Sequence, residues 1–319
     1  MPQGISVIIP AYNEERTIRD TLEGVLDQDY DKYQVTVVDD GSTDSTKEIV
    51  EEFDEVELLE NEKNQGLAGS LNKGMENAEY DILCTLHADC VPKDEDWLEQ
   101  MHSCLTEDTA VVACRHAISE ERFQRFNMVQ KLLSIGVREG EMDAQDGCEE
   151  AEGFDGKGDL YRKEAMEEIG GFGSEKFFRA GEDGHIKIKL QNQGWNFRSA
   201  PTYIYHNHGS NQETFRDFFR KKLEYSEAFG ANRRIHGKDK PMGLWNEATK
   251  SLLYLSLLIP YLNLATIPLI IFKLLYQTWR NRGQEFGLKI LLLPFIIFLG
   301  DIMSIIGFWK GYLTGKQTL

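Results

Sequence analysis

The first third of the chain alternates short β-branched apolar runs with stretches of helical period. "ISVIIPAYNEE" is a strand-like run broken at Pro10, with Asn13 placed to cap a helix through about Leu26. "YQVTVVDDGSTDSTKEIVEEF" repeats the plan with an apolar strand, two aspartates at its carboxyl end, a Gly-Ser-Thr turn and a helix. A third unit runs from the helix "AGSLNKGMENA" into the strand "YDILCTL" and ends in "HADCVP". Strands alternating with helices predict an α/β fold with a mainly parallel sheet covered on both faces. Ligands of such sheets sit beyond the carboxyl ends of the strands, where Tyr12, Asp39, Asp40 and Asp89 fall.

Past residue 110 the pattern loosens. "GEMDAQDGCEEAEGFDGKG" reads as a loop, a helix is expected near "RKEAMEEIGGF", and "FFRAGEDGHIKIKLQNQGW" follows. The tail differs in kind: residues 251–272 carry no charge and residues 290–309 carry only Asp301. Lengths of about 20 residues match the hydrocarbon thickness of a bilayer and predict two membrane helices. A buried helical hairpin is the alternative, and Pro260 and Pro268 leave a re-entrant course open for the first stretch. Upstream, Phe215, Phe218, Phe219, Leu223 and Phe229 share a helical face among Arg216, Arg220, Lys221, Arg233 and Arg234, a pattern that suits either an anionic membrane surface or packing on the protein itself. The expected organisation is a catalytic domain over 1–212, an interfacial basic segment over 213–245 and a membrane anchor over 246–319. The basic cluster puts the catalytic domain on the cytoplasmic side, against which Arg280, Arg282 and Lys289 between the two stretches argue.

Charge narrows the partners. From Asn246 onward seven Lys or Arg stand against three acids, which leaves 28 bases and 50 acids in the first 245 residues. So acidic a body argues against nucleic acid as a partner. Cys84, Cys90, Cys104, Cys114 and Cys148 form no CxxC pair and no zinc spacing, and no signal peptide precedes Ile5. Reduced thiols in a cytoplasmic setting are expected, most of them acting as small buried hydrophobes.

In their order and spacing, "SVIIPAYNEE", "VVDDGSTDST", "ADCVP" and "GEDGHIKIKLQNQGW" resemble a family 2 glycosyltransferase of the GT-A fold over about residues 4 to 210. The resemblance implies inverting transfer from a nucleotide-diphosphate sugar with Mg2+ or Mn2+. It places Asp39 and Asp40 against the base or ribose, with Pro10, Ala11, Tyr12 and Glu14 on the nucleotide's other side and Asn64, Gly66 and His87 as further contacts for the sugar donor. Ordinary helix capping by Ser42 or Asp44, with the Asp pair merely solvated, is the plainer reading of that turn.

Asp89 is the implied metal ligand, because a hard cation between carboxylate and phosphate oxygens neutralises a departing diphosphate. The family carries two acids in this triplet, and here His87 replaces one of them. An imidazole can bind Mn2+ or donate to phosphate, or simply close the strand. His206 and His208 in "YHNHGS" stand where relatives bring a histidine to the metal, or are loop histidines. Asp183 is implied as the general base that takes the acceptor hydroxyl's proton, with Glu182 fixing acceptor or base. The same acids would also suit a helix N-terminus. Trp195 either stacks on a sugar or packs in the core.

A polyprenyl phosphate is already anionic and needs no base, so Asp183 favours a hydroxyl acceptor, and the apolar tail favours one on a lipid-linked or membrane-associated glycan. A polyprenyl-phosphate glycosyltransferase is the alternative enzyme. A membrane scaffold with a decayed site is the alternative outside catalysis. A nucleotidyltransferase would carry a Gly- and Arg-rich loop after its first strand, and "PAYNEE" carries none.

Overall fold

β-branched runs and amphipathic stretches alternate as expected through β1 (Ile5–Ala11), α1 (Ile18–Leu26), β2 (Tyr33–Asp39), α2 (Thr46–Val50), β3 (Val56–Glu60), α3 (Gly66–Glu76) and β4 (Ile82–Thr85). The computed structural model describes residues 3–127, 130–131, 139, 145–173, 182–207, 214–236 and 293–314. β2 and β4 flank β1, and β3 lies outside β2, all four parallel. Apart from Pro10, every residue of β1 and β4 is buried, because helices cover both faces and leave no polar side to alternate with. α1 turns Ile18, Leu22 and Val25 inward at helical spacing. Each such side chain contributes about 1.5–3 kcal/mol on burial, so an aspartate at Leu22, which is fully buried, would be enough to detach the helix.

The second half departs from an all-parallel sheet. It runs through β5 (Cys90–Pro92), α4 (Trp97–Ser103), β6 (Thr109–Ala117), α5 (Glu120–Arg125), β7 (Glu149–Glu150), β8 (Leu160–Arg162), α6 (Lys163–Glu168), α7 (Glu182–Asn192) and β9 (Asn196–His206). Across the sheet the order is β3-β2-β1-β4-β8-β6-β9-β5, with β7 beside β9. β8 runs antiparallel between β4 and β6, β6 and β9 are parallel, and β5 and β7 are antiparallel to β9. At three residues, β5 and β8 are too short for a period of two to register in the sequence. Their directions have one consequence for the site: β1, β2, β4, β6 and β9 end at the same edge at which β8 begins, so the segment before β8 reaches that edge too.

Two local expectations are corrected. Asn13 does not cap α1, whose cap residue is Thr17 without a side-chain bond. Instead Asn13 sits at φ 58°, a left-handed conformation that asparagine tolerates. Its Oδ1 accepts from Thr43 N at 2.8 Å, and its own N–H donates to Ser42 Oγ at 3.0 Å. Among the cysteines, Cys84, Cys90 and Cys114 are buried free thiols, but Cys104 and Cys148 form a disulfide across 44 residues. It ties the end of α4 to the residue before β7, a proximity created by the sheet order and invisible in spacing.

The chain divides into two compact units, residues 1–125 with 136–211 and residues 126–135 with 212–319. In the second, α8 (Phe215–His236) packs along α9 (Leu293–Thr314). Gly307 faces Leu223 O, Gly311 faces Glu227 O and Gly230 faces Phe308 O, so closely that a Cβ at any of them would collide with the facing backbone. Glu227, 2% exposed, pairs with Lys310 at 3.1 Å, and Asp301, Ser304 and Phe308 are buried on one face of α9. Among the described residues no helix is long and apolar enough to cross a membrane. The expected span over 290–309 finds no support in α9, and residues 251–272 lie outside the described residues. Phe218 of the expected interfacial face is buried, whereas Phe215 stays exposed.

Candidate functional site

On the β1–β2 side of the edge, the loops that follow the two strands are laced together. Besides the Asn13 bonds, Glu14 N donates to Thr46 Oγ1 at 2.7 Å and Glu15 N to Asp44 Oδ2 at 3.2 Å. Asp39 and Asp40 divide their work. Asp40 places both oxygens on protein donors: Oδ1 accepts from Asn61 Nδ2 and Gln65 N, Oδ2 from Gly66 N, each at 2.8 Å. It thereby holds the start of α3 and takes Gly66 as its partner. Asp39 uses Oδ2 on Gly41 N and Ser42 N, while its Oδ1 is buried without a protein partner. A buried acceptor left open is costly unless a ligand completes it. Pro10 and Ala11 lie within β1, Tyr12 is 46% exposed just past it, and Asn64 is exposed beside Gly41.

Glu14 faces inward. Burial, reinforced by the nearby charge of Asp89, raises its carboxyl to about 7, and the bond from Thr17 only partly opposes this. Asp89 is therefore within electrostatic reach of the β1 loop.

Asp89 follows β4, in the short connection that opens β5. Its Oδ2 meets His206 Nε2 at 3.1 Å, and Cys90 Sγ lies 3.7 Å from Oδ1. β5 and β9 bring Cys90 and His206 directly opposite each other. A carboxylate oxygen, an imidazole nitrogen and a thiol sulfur thus lie within 4.8 Å of one another. The carboxylate and imidazole fit a divalent cation, the imidazole favouring manganese over magnesium, while burial pushes the Cys90 thiol well up. Cys90 was not singled out by sequence reasoning; its place directly after Asp89 was the available signal. His87 Nε2 is buried without a protein partner, and burial lowers its pKa to about 4. His87 is accordingly neutral near pH 7 and able to bind a ligand as an uncharged imidazole. His208 lies outside the described residues.

Asp183, the second residue of α7, reaches the same edge through the segment before β8. Gly156 has φ 78°, and a Cβ on it would lie 2.9 Å from Asp183 Oδ1, so a side chain there would intrude on the carboxylate. Glu182 is the first residue of α7. Asp159 fixes the segment from behind: fully buried, it accepts from Cys114 N and Gly156 N at 2.7 Å each. Burial and the charge of Asp155 hold its carboxyl well above the usual range. Asp155 accepts from His116 Nδ1 at 2.8 Å and Lys157 Nζ at 2.7 Å. Burial works against its charge, but these two partners outweigh it and keep its carboxyl low. His116, at the end of β6, stands edge-on to His206 with ring centroids 5.6 Å apart. Sequence reasoning missed His116, Asp155, Lys157 and Asp159; only the position of His116 at a strand's carboxyl end was a usable sign. Trp195, at the opposite end of β9 from His206, bonds Glu168 at 2.8 Å and packs against the core.

Comparison with known proteins extends this picture. A model of glycosyl transferase family 2 matches residues 6–170, just over half of the chain, and one described as glycosyl transferase family group 2 matches residues 143–306. A poly-beta-1,6-N-acetyl-D-glucosamine synthase of Staphylococcus epidermidis is 38% identical over 96 residues, 29% of this chain and 23% of the relative. Glycosyltransferase AglE of Haloferax volcanii is 43% identical over 102 residues, 30% of this chain and 33% of the relative. The match therefore spans about a quarter to a third of the length of these relatives. Among solved structures, the mannosyltransferase PcManGT from Pyrobaculum calidifontis, in complex with GDP-Man and Mn2+, superposes with a TM-score of 0.60 at 19% identity over 96% of this chain and 86% of its own. TarS of S. aureus with UDP-GlcNAc gives 0.51 at 17% identity over 98% and 92%. At such identities the likeness is one of fold.

Proposed function

The chain belongs to glycosyl transferase family 2, and from that premise we propose that it is an inverting glycosyltransferase. It moves a sugar from a nucleotide-diphosphate sugar to a hydroxyl of a lipid-linked or membrane-associated glycan. The observation that carries the reading is the meeting of Asp39, Asp89 with His206, and Asp183 at one edge of one sheet. Structural neighbours are complexes with GDP-Man and Mn2+ or with UDP-GlcNAc, which supports a sugar nucleotide and a divalent cation here.

Asp39, with its open buried Oδ1, receives a donor N–H of the base or ribose. Asp89 and His206 would hold Mg2+ or Mn2+, with His87 beside them, and the bound ion would supply neutralisation of the diphosphate. Asp183 takes the proton from the acceptor hydroxyl as its oxygen attacks the anomeric carbon on the face opposite the diphosphate. One base and one displacement give inversion. The catalytic unit faces the cytoplasmic side of a membrane, a reading that rests on the apolar stretch at 251–272 for the membrane and on the basic cluster from Arg216 to Arg234 for the side.

The test is Asp183→Asn. It should keep Mn2+-dependent binding of the sugar donor, measured by thermal shift against a panel of nucleotide sugars, and lose about 10²–10⁴-fold in transfer rate. Full transfer by this variant would overturn the hydroxyl acceptor and point to a phosphate.

A further inference from the structure

Five side chains form a circuit around the site that the roles above do not use up. Asp89 meets His206, the His206 ring abuts His116, His116 bonds Asp155, and Asp155 bonds Lys157. The carbonyl of Lys157 then accepts from His87 N at 2.9 Å, which closes the circuit two residues from Asp89. The segment that carries Asp155 and Lys157 is held on three sides. Thr85 Oγ1 donates to Gly156 O at 2.9 Å, Thr85 N to Asp159 O at 3.0 Å, and the Asp159 carboxylate takes Cys114 N and Gly156 N. Its middle residue, Gly156, lies against Asp183.

One short rigid segment thus reaches from the carboxylate assigned as base to the strand end assigned to the cation. A glycosidic bond broken between those two must lie over it. The backbone of Lys157 lies on the strand-end side, its carbonyl taking His87 N, and its ammonium bonds Asp155, whose other partner His116 abuts His206, so the ammonium is on the side of the leaving group rather than of the acceptor. Its side chain is 20% exposed, enough to touch a ligand yet shielded from bulk solvent, where a charge counts for more. Demand for a cation is high: Glu14, Asp39, Asp89, Asp155 and Asp183 all approach this edge, and a diphosphate adds further negative charge. The neutral His87 in place of an acid leaves one carboxylate fewer to grip a metal.

We propose that Lys157, oriented by the Asp155–His116 pair, is a direct cationic contact for the diphosphate of the sugar nucleotide. It shares with the divalent cation the charge that builds on the leaving group, and the assignment rests on the glycosyltransferase reading above. Asp155 and His116 are positioning residues that act through Lys157.

The experiment is calorimetric titration of the full chain, in Mn2+, with UDP, GDP and dTDP and with the corresponding nucleosides. It is repeated on Lys157→Met and Lys157→Arg, and the melting temperature of each unliganded protein is recorded. Losing a charge-assisted contact to phosphate should weaken diphosphate binding by Lys157→Met about tenfold or more. Nucleoside binding should stay that of the parent while the melting temperature falls by no more than loss of the Asp155 pair entails, and Lys157→Arg should recover most of the lost diphosphate binding. Unchanged diphosphate binding by Lys157→Met would overturn the role of Lys157 alone. Equal loss of diphosphate and nucleoside together with a lower melting temperature would also overturn it, by making the ion pair a purely structural one. A parent protein that binds none of the diphosphates would overturn the glycosyltransferase reading, and this assignment with it.

Discussion

The two sides of the sheet's ligand edge are held in place by different means. On the β1–β2 side, loops that each follow their own strand are laced to one another over about thirty residues, from Asn13 and Glu14 to Ser42, Thr43 and Thr46. On the β4–β6–β9 side, the organising piece is Gly153–Asp159, which arrives from about 70 residues beyond β4 and is anchored by one buried acid, Asp159. Local order on the first side needs only strand, turn and helix in succession. On the second, order exists only once β8 has been inserted between β4 and β6. The contrast teaches where a functional residue can be read from its neighbours and where it depends on the finished sheet.

Substitutions at Asp39 and Asp40 offer the largest expected break in this comparison. Asp40→Ala removes the acceptor for Asn61, Gln65 and Gly66 in a place where Asp40 is 4% exposed. Of these donors only Asn61 is buried, and stranding it costs about 1–3 kcal/mol while the more exposed Gln65 and Gly66 amides add less, so chemical denaturation should show a loss of about 2–3 kcal/mol. Asp39→Ala leaves only two turn amides to water and should cost about 1 kcal/mol while weakening nucleoside binding. If the two variants proved equally destabilised, the division of labour between the neighbours would be wrong.

A smaller effect is expected at Asp89. Its carboxylate lies between His206 and Cys90, and Asp89→Ala should lower Mn2+-dependent affinity for the sugar donor by roughly ten- to a hundredfold, about 1.4–2.7 kcal/mol. Binding of the nucleoside, which draws on the β1–β2 side, should be unaffected. EDTA added to the parent protein should reproduce the loss, and parent affinity that ignores EDTA would contradict a metal at this position.

Legibility in the sequence follows the same boundary. The strands ending at Ala11, Asp39 and Thr85 showed themselves as β-branched runs, and Tyr12, Asp39 and Asp89 lay at or shortly past their ends, which parallel strands present together. Asp40 was visible but not its role, since its partners Asn61, Gln65 and Gly66 sit over twenty residues away. His116, Asp155, Lys157 and Asp159 were hidden for a stronger reason: β8 is three residues long and antiparallel, so no periodicity announces that the preceding loop turns into the site. Cys104 and Cys148 likewise became neighbours only when β7 joined β9. Of the α8–α9 pair, the helical face of α8 was legible, whereas α9 reads in the sequence as part of a membrane span, and neither its glycine contacts with α8 nor the buried Glu227–Lys310 pair was readable.

Glu14 tests the one place where the two sides touch electrostatically. Burial and the charge of Asp89 raise its carboxyl from 4.5 to about 7, so the folded protein holds this proton more tightly than the unfolded chain. Stability from this group is complete below pH 4.5 and is lost as pH rises through about 7, because in that window the folded state must release a proton that the unfolded state has already lost. Glu14→Gln keeps the neutral form at every pH. In EDTA it should therefore match the parent near pH 4 and exceed it above pH 8 by up to about 3 kcal/mol, read as the difference between two denaturation series. Adding Asp89→Ala should shrink that gain, since part of the shift comes from the Asp89 charge. A gain that is independent of pH would mean that Glu14 is solvated and that the β1 loop stands apart from Asp89, which would separate the two sides of the edge altogether.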